Sequence, residues 1–402
     1  MKKVLYAFQG TGNGHASRAL VLLPVLMKVA EVKIAICGSE NEIDFPFPID
    51  FYFQAPVFVF GKNGGIDWVA SFRKSKICGI GKQVNSFPYQ GFDLIINDFE
   101  PISARIGKKR NIPVFSVSHQ ASFWEEETPR PLKRNFLGEW ILKNYAPSSN
   151  YLGVHFEKYS SKITTPIIRP EIRNVVPENK GHITVYLPSY ADEILTSFFS
   201  RFPEYRFQIF SKRSLTQVEN NNSTIFPISS SGFIQSLVSC DGVLCGAGFE
   251  TPAEALFLGK KLYVIPMKGQ YEQQCNAAAL ALLKIPSSSG IGTSMENKFR
   301  FWLLSEEKIQ KNFPQNEEEV IKQAGSAMVV ELMRNGANPE DACKEIVNRI
   351  MKTNKGKKDF QVGFMALRKD GTFGAFSLVK GFNFAVHDQD GNRLIDSPYI
   401  ND

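Results

Sequence analysis

Lys3-Val4-Leu5-Tyr6-Ala7-Phe8-Gln9-Gly10-Thr11-Gly12-Asn13-Gly14-His15 is the stretch whose reading decides the fold. A short apolar run that stops at glycines reads as a strand buried on both faces and feeding a tight turn. Ser17–Val29 follows with apolar residues at helical spacing, among them Leu20, Leu23, Val25 and Met27, and Val32–Cys37 is a second strand. Phe51–Phe60 is aromatic and suits a strand followed by a loop, and Phe92–Ile96 and Val114–Val117 add two more buried strands. Strand and helix taking turns in this way is the signature of a doubly wound parallel sheet.

A second alternation begins at His182–Leu187 and continues through Arg206–Phe210, Thr224–Phe226, Gly242–Cys245 and Leu262–Pro266. The expected fold class is therefore α/β, with two Rossmann-like domains. Phe123–Tyr151, broken early by Pro129 and Pro131, leads toward the connection between them, and Thr164–Pro177, with three prolines, is the linker. The expected boundaries are 1–165 for the first domain and 178–313 for the second. Residues 317–402 differ in texture. Two helical patterns, Glu317–Asn335 and Pro339–Lys352, are followed by strands at Phe360–Leu367, Thr372–Leu378 and Phe382–Asp388. Asn338 before Pro339 is a helix start, and Lys369-Asp370-Gly371 and Asp390-Gly391 are hairpin turns, so this part reads as α+β with one antiparallel sheet.

Bulk composition narrows the function. The net charge of +7 over 402 residues is spread among mixed acids and bases, without the basic block a nucleic-acid arm would need. A modest positive bias suits an anionic donor or a membrane surface. The six cysteines form no CxxC pair, so neither a zinc site nor a redox dithiol is indicated. The first apolar run ends too soon for a signal peptide, and no window of about 20 apolar residues spans a bilayer. The expected location is cytoplasmic, with the periphery of the inner membrane face compatible.

Two glycine clusters carry the chemistry. In the first, glycines let the backbone approach a ligand, and the helix that follows offers free N–H groups and a positive dipole end. The spacing Gly10-x-Gly12-x-Gly14 is tighter than the dinucleotide fingerprint, and Cys37-Gly38 stands where that fold needs an acid. His15 at the loop tip is suited to take a proton from an acceptor hydroxyl; a structural histidine is the other reading. The second cluster, Gly246-Ala247-Gly248-Phe249-Glu250-Thr251-Pro252-Ala253-Glu254, also joins a strand to a helix. Its amides suit phosphates, and Glu254 suits ribose hydroxyls. Gln270, Glu272, Gln273, Gln274 and Asn276 crowd a later helix start, where amides can bond sugar hydroxyls. Asp98 and His119 each end a strand on the first sheet's presumed ligand edge, as acceptor-side groups or as caps of local turns.

Residues 1–313 resemble a GT-B glycosyltransferase, similar to family 28. The resemblance lies in Gly10–His15, in Gly248–Glu254 and in Gln273-Gln274. It implies that Gly10, Gly12, Asn13 and Gly14 form the acceptor-side loop and that His15 is the catalytic base; the place of Asp98 and His119 at the sheet edge adds Asp98 to the catalytic pair and His119 to the acceptor side. Gly246, Ala247, Gly248, Glu250, Thr251, Glu254, Gln273 and Gln274 would bind the donor. The implied reaction moves a sugar from a UDP-sugar to a hydroxyl with inversion, without metal and with no cofactor beyond the nucleotide-sugar co-substrate. The acceptor stays open, and a lipid-linked one or one at a membrane surface is admitted. One departure stands out: Leu187-Pro188-Ser189-Tyr190 occupies the place of the family's Gly/Ser-rich phosphate loop.

Residues of about 317–402 resemble the C-terminal part of bacterial glycosylasparaginase, through Val329–Met333, Ala342–Glu345, Gln361–Phe364 and Gly381–Asp388. Such hydrolases need a threonine freed by autoproteolysis, and residues 1–316 hold no equivalent of that nucleophile. The tail is expected to be inert as an amidohydrolase and poorly anchored to the rest. An asparaginase-type amidohydrolase and a non-functional fusion of two genes are the rival readings.

Overall fold

The computed structural model describes residues 2–10, 13–38, 45–54, 59–60, 66–67, 79–88, 91–353, 361–389 and 391–401. Thr11 and Gly12 of the first glycine loop, residues 55–58 of Phe51–Phe60, Phe360 and Asp390 lie outside the described residues.

The first domain is built on seven parallel strands in the order Phe51–Phe53, Glu31–Cys37, Lys3–Gln9, Leu94–Asp98, Val114–Ser118, Asn150–Val154 and Ile163–Thr164. Lys3–Gln9 is central because it is apolar on both faces. Val4, Tyr6 and Phe8 enter one core and Leu5 and Ala7 the opposite one. The chain winds one way from this strand and then returns to wind the other way from Leu94–Asp98, which makes the switch point where open α/β sheets bind ligands. Asn150–Val154 and Ile163–Thr164 extend this sheet, and Phe123–Tyr151, expected to lead toward the connection, contributes a helix, Phe136–Asn144, and the start of the first of these strands.

The second domain repeats the plan with His182–Tyr186 between Arg206–Ser211 and Gly242–Gly246, flanked by Ser223–Pro227 and Lys261–Ile265, all parallel. An antiparallel edge strand, Val218–Asn220, went unanticipated because its three residues are all exposed and leave no apolar pattern. The first helix begins at Asn13, four residues earlier than its apolar spacing suggests. That start puts His15 and Arg18 one turn apart on one helix face.

The tail departs from expectation. Helix Glu317–Arg334 packs back onto the first domain's helix Asn13–Leu26. Val320, Ala324 and Ala327 enter the main core together with Phe313. Asn316 donates to Thr164 Oγ1 and Thr165 O at 3.0 Å, and Arg173 Nη1 to Phe313 O at 2.8 Å. Val329, on the same helix, joins a small separate core with Ala342, Cys343, Ile346, Val347, Phe376 and Leu378. The helix is thus shared between two cores, and the tail is anchored. Asn338 caps helix Pro339–Thr353 as expected, accepting from the Asp341 amide at 2.8 Å. The expected single antiparallel sheet is instead two pieces: Gly363–Leu367, Phe373–Val379 and Tyr399–Asn401 in one, the last pair parallel, and a hairpin of Asn383–Asp388 with Gly391–Asp396.

Val320→Asp should therefore destabilise the whole molecule, not just its tail. An unpaired charge forced into the main core is expected to cost on the order of 3 kcal/mol. Thermal unfolding followed by tryptophan fluorescence checks this, since Trp124, Trp140 and Trp302 all lie outside the tail. An unchanged midpoint would mean that the tail unfolds independently.

Candidate functional site

A cleft of about 630 Å³ opens between the C-terminal edges of the two sheets. Its first-domain wall is set by Asp98, which has no exposure to water. Asp98 Oδ1 meets His15 Nδ1 at 2.8 Å, and Arg18 grips the same carboxylate with Nε at 2.8 Å and Nη2 at 3.1 Å. Burial alone would raise the Asp98 pKa, but Arg18 and His15 outweigh it and hold the carboxyl below its ordinary value. An ionised Asp98 can only accept, so His15 carries its proton on Nδ1 and keeps Nε2 as the basic nitrogen. The next residue, Phe99, has φ +55°, a conformation rare for a bulky side chain. It lines the cleft, and Glu100 behind it caps helix Pro101–Arg110 by accepting from Ile102 and Ser103.

The opposite wall is the N-terminus of helix Glu250–Phe257, whose first amides have no side-chain cap. Glu250 reaches across the cleft floor to Arg18 Nη1 at 2.6 Å. Gly14 is required here, because a Cβ on it would come within 2.9 Å of Glu250 Cγ. Burial pushes the Glu250 pKa up to about 7; Arg18 opposes this, while Glu254 and Asp98 add to it. Glu254, one turn further on, is buried and accepts a two-pronged grip from Arg169, Nε to Oε1 at 2.7 Å and Nη2 to Oε2 at 2.9 Å.

Of the expected site residues, Asn13, Gly14, His15, His119, Gly246, Gly248, Glu250, Thr251 and Gln273 line the cleft. Asp98 stands directly behind His15. Gly10, Ala247, Glu254 and Gln274 are not in the lining, and Gly12 lies outside the described residues. Glu254 stays back because Arg169 occupies both its oxygens. Gln273 accepts from the Met267 amide at 2.9 Å, so its carbonyl is turned to the backbone. His119 bridges the domains: Nδ1 meets Val154 O at 2.8 Å, Nε2 meets Asn276 Oδ1 at 2.7 Å, and the ring stacks on Phe249 at 4.1 Å. Burial holds its pKa below the ordinary value, against the pull of Glu272. Leu187, Pro188 and Ser189 border the cleft where a glycine-rich loop was missed in the sequence.

Sequence reasoning passed over Arg18 and Arg169. Arg18 was findable, three residues after His15 on the same helix. Arg169 sits in the proline-rich linker, with no local pattern to mark it. Among the described residues no cluster of His, Cys, Asp and Glu could hold a metal ion, and no helix is long and apolar enough to cross a membrane.

A family model described as glycosyl transferase family 1 matches residues 70–294. Over 81 residues the chain is 58% identical to an N(4)-(beta-N-acetylglucosaminyl)-L-asparaginase of Elizabethkingia miricola. That match takes in 19% of this chain and only 24% of the relative, so the chain spans about a quarter of that protein's length. Among solved structures, Arabidopsis thaliana UGT89C1 complexed with UDP is 13% identical, with a TM-score of 0.49 over 88% of this chain and 100% of that one. The MurG of Acinetobacter baumannii is 16% identical, with a TM-score of 0.45 over the same 88% and 100%.

The Glu250 position has a measurable signature. Its ordinary pKa of 4.5 rises to about 7 in the folded state, so between these values the folded protein holds a proton that the unfolded chain releases. Stability should then fall as pH rises from about 4.5 to 7, by on the order of 3 kcal/mol from this group. Urea unfolding at pH 5 and pH 7.5 checks it: Glu250→Gln should lose this difference relative to wild type. Asp98, with its pKa lowered, acts in the opposite sense and only below about pH 4, outside this window.

Proposed function

The chain belongs to glycosyl transferase family 1, and from that premise we propose that it moves a sugar from a UDP-sugar to an acceptor hydroxyl, with inversion and without a metal ion. The observation that carries this reading is the buried Asp98–His15 pair facing the uncapped N-terminus of helix Glu250–Phe257 across one cleft. The likeness of Gly10–His15 and Gly248–Glu254 to family 28 sequences supports the donor and the roles.

In this mechanism His15 Nε2 takes the proton as the acceptor oxygen attacks the anomeric carbon, and Asp98 steadies the imidazolium that forms. The bond from that carbon to the diphosphate breaks on the far side, which inverts the centre. The departing charge meets the helix N-terminus, the amides beside Gly246 and Gly248, and Arg169. Fixed dipoles and a cation placed where charge develops do the work a metal would otherwise do. The arriving donor trades partners with the resting pair: its ribose takes Glu254 and its diphosphate takes Arg169. Asparaginase activity is no part of this reading, because no nucleophile accompanies the tail's resemblance.

Calorimetry with UDP and UDP-sugars in EDTA should show undiminished binding, and binding that vanishes with EDTA would overturn metal independence. Glu254→Ala and Arg169→Ala should each weaken the nucleotide by about 1.5–3 kcal/mol. Because either single variant also removes the cost of breaking their ion pair, a cost relieved only once when both are removed, the double variant should cost more than the sum.

His15→Ala should lower turnover by about 10²–10⁴-fold and leave nucleotide affinity nearly unchanged, since a base acts in the transition state. Donor hydrolysis or transfer rates under saturating donor would measure it; equal rates would make His15 structural.

A further inference from the structure

In the second domain one crossover lacks its helix. Asp192–Phe199, Ser230–Ser239 and Glu250–Phe257 each join two parallel strands. Residues 212–222, between Arg206–Ser211 and Ser223–Pro227, hold only the edge strand Val218–Asn220. One face of those two strands is covered all the same, because Phe207, Ile209 and Ile225 are buried with Leu195, Phe198 and Phe199. On the opposite face helix Ser230–Ser239 is drawn to one side. Ser236 Oγ meets His182 Nε2 at 3.2 Å and Thr184 Oγ1 at 2.7 Å, which seats the helix over strand His182–Tyr186. Beside it a groove of about 590 Å³ lies open over the two uncovered strands. Ser229 lines both this groove and the cleft, so the two meet there.

The chemistry of the groove selects its ligand. Strand alternation puts Gln208 and Phe210 on the floor, in register with Thr224 and Phe226 of the next strand. Phe226 is half-buried and stacks on Phe210 with ring centroids 5.5 Å apart. The charged groups at the rim are of both signs and already engaged. Glu219 accepts from Thr224 Oγ1 at 2.8 Å and Gln217 Nε2 at 2.9 Å. Arg206 Nη2 donates to Lys180 O at 2.8 Å, and Lys180 Nζ pairs with Glu178 at 3.0 Å. What is left unspent is neutral: the side-chain amides of Gln208 and Gln235 make no hydrogen bond among the described residues. An amide both donates and accepts, which matches a sugar hydroxyl that does the same. The C–H face of a sugar ring packs on the negative face of an aromatic ring. A wholly apolar ligand would instead bury the two amides unpaired, at a cost.

We propose that this groove binds a neutral oligosaccharide, with Gln208 and Gln235 holding its hydroxyls and Phe226 packed under a ring. Strand Ser223–Pro227 has 5 residues and so runs about 17 Å, enough for more than one sugar unit. A chain lying along it would end at Ser229, on the rim of the cleft. The groove would thus hold the glycan of an acceptor or product beside the reacting centre. That role rests on the glycosyltransferase reading above; the binding site does not.

The test is calorimetric titration of the full chain with cellotetraose, chitotetraose and maltotetraose, with tetragalacturonate as the anionic control. At least one neutral tetrasaccharide should bind, and tetragalacturonate should bind at least tenfold more weakly. The double variant Gln208→Ala, Gln235→Ala and the single variant Phe226→Ala should each weaken the neutral ligand at least tenfold. None of these three residues lines the cleft, so UDP binding should stay unchanged. Cooperative thermal melting shows that the variants fold, and the double variant alone decides if Phe226→Ala does not. Saturating UDP should leave the tetrasaccharide bound. No binding of the three neutral probes, tighter binding of tetragalacturonate, equal binding by the double variant, or displacement by UDP would overturn the proposal. So would a wild-type dimer in light scattering that the double variant dissolves, since the occupant would then be a second copy. Tetrasaccharide binding without UDP binding would sink the donor reading and leave the groove standing.

Discussion

A carboxylate with no contact with water must be matched by cations, and the arrangement of the cleft follows from how Asp98 is matched. Arg18 supplies two hydrogen bonds and His15 a third, both from the first turns of one helix. Removing one partner of such a buried group typically costs about 3–5 kcal/mol, because the other charge is left uncompensated. The match fixes where that helix begins, how close it comes to the end of strand Leu94–Asp98, and which imidazole nitrogen carries the proton. The left-handed Phe99 that follows lets the backbone turn away at once into a capped helix. Strain of this kind gathers at functional sites because it aims a side chain that an ordinary turn would not.

The same match ties the two domains together. Arg18 spends its remaining arm on Glu250, at the head of the donor-side helix. Beside it His119 joins Asn276, Asn276 Nδ2 donates to Ala247 O at 3.0 Å, and Phe249 stacks on His119. One apolar core runs from Phe8 and Phe156 in the first domain to Phe249, Ala253 and Leu256 in the second. The cleft is consequently bounded by a floor that belongs to both domains. Whatever separates them must break an ion pair, strip Phe249 from its ring partners and expose two buried polar side chains. A preorganised cleft of this sort spends little on arrangement when its ligand arrives.

The tail shows how little a packing role asks of a sequence. A helix that crosses back onto the first domain needs an apolar stripe of small side chains, and Val320, Ala324 and Ala327 provide one at spacings of four and three. Their resemblance to another enzyme does not prevent this. Leu332 and Met333 on the neighbouring face serve the tail's own small core, and Met328 packs against both cores. Sharing one helix between two cores gives the α+β end a stability that an isolated piece of its size would lack.

Strand and helix order, both glycine loops, His15 and the helix cap at Asn338 were legible because each depends on residues adjacent in the chain: periodicity, turn chemistry and capping are local. The repetition of one α/β architecture in two domains followed from the same alternation. What escaped was set by distance through space. The return of Glu317–Arg334 to the first domain depends on a groove beside Asn13–Leu26 that no local pattern records. The inward turn of Glu254 depends on Arg169, 85 positions away, and the joining of Arg18 to Glu250 spans 232. Local sequence thus determined which groups the chain could bring to a cleft. Only the tertiary fold decided which carboxylate would be buried, and a buried carboxylate takes the nearest cation whatever its place in the chain.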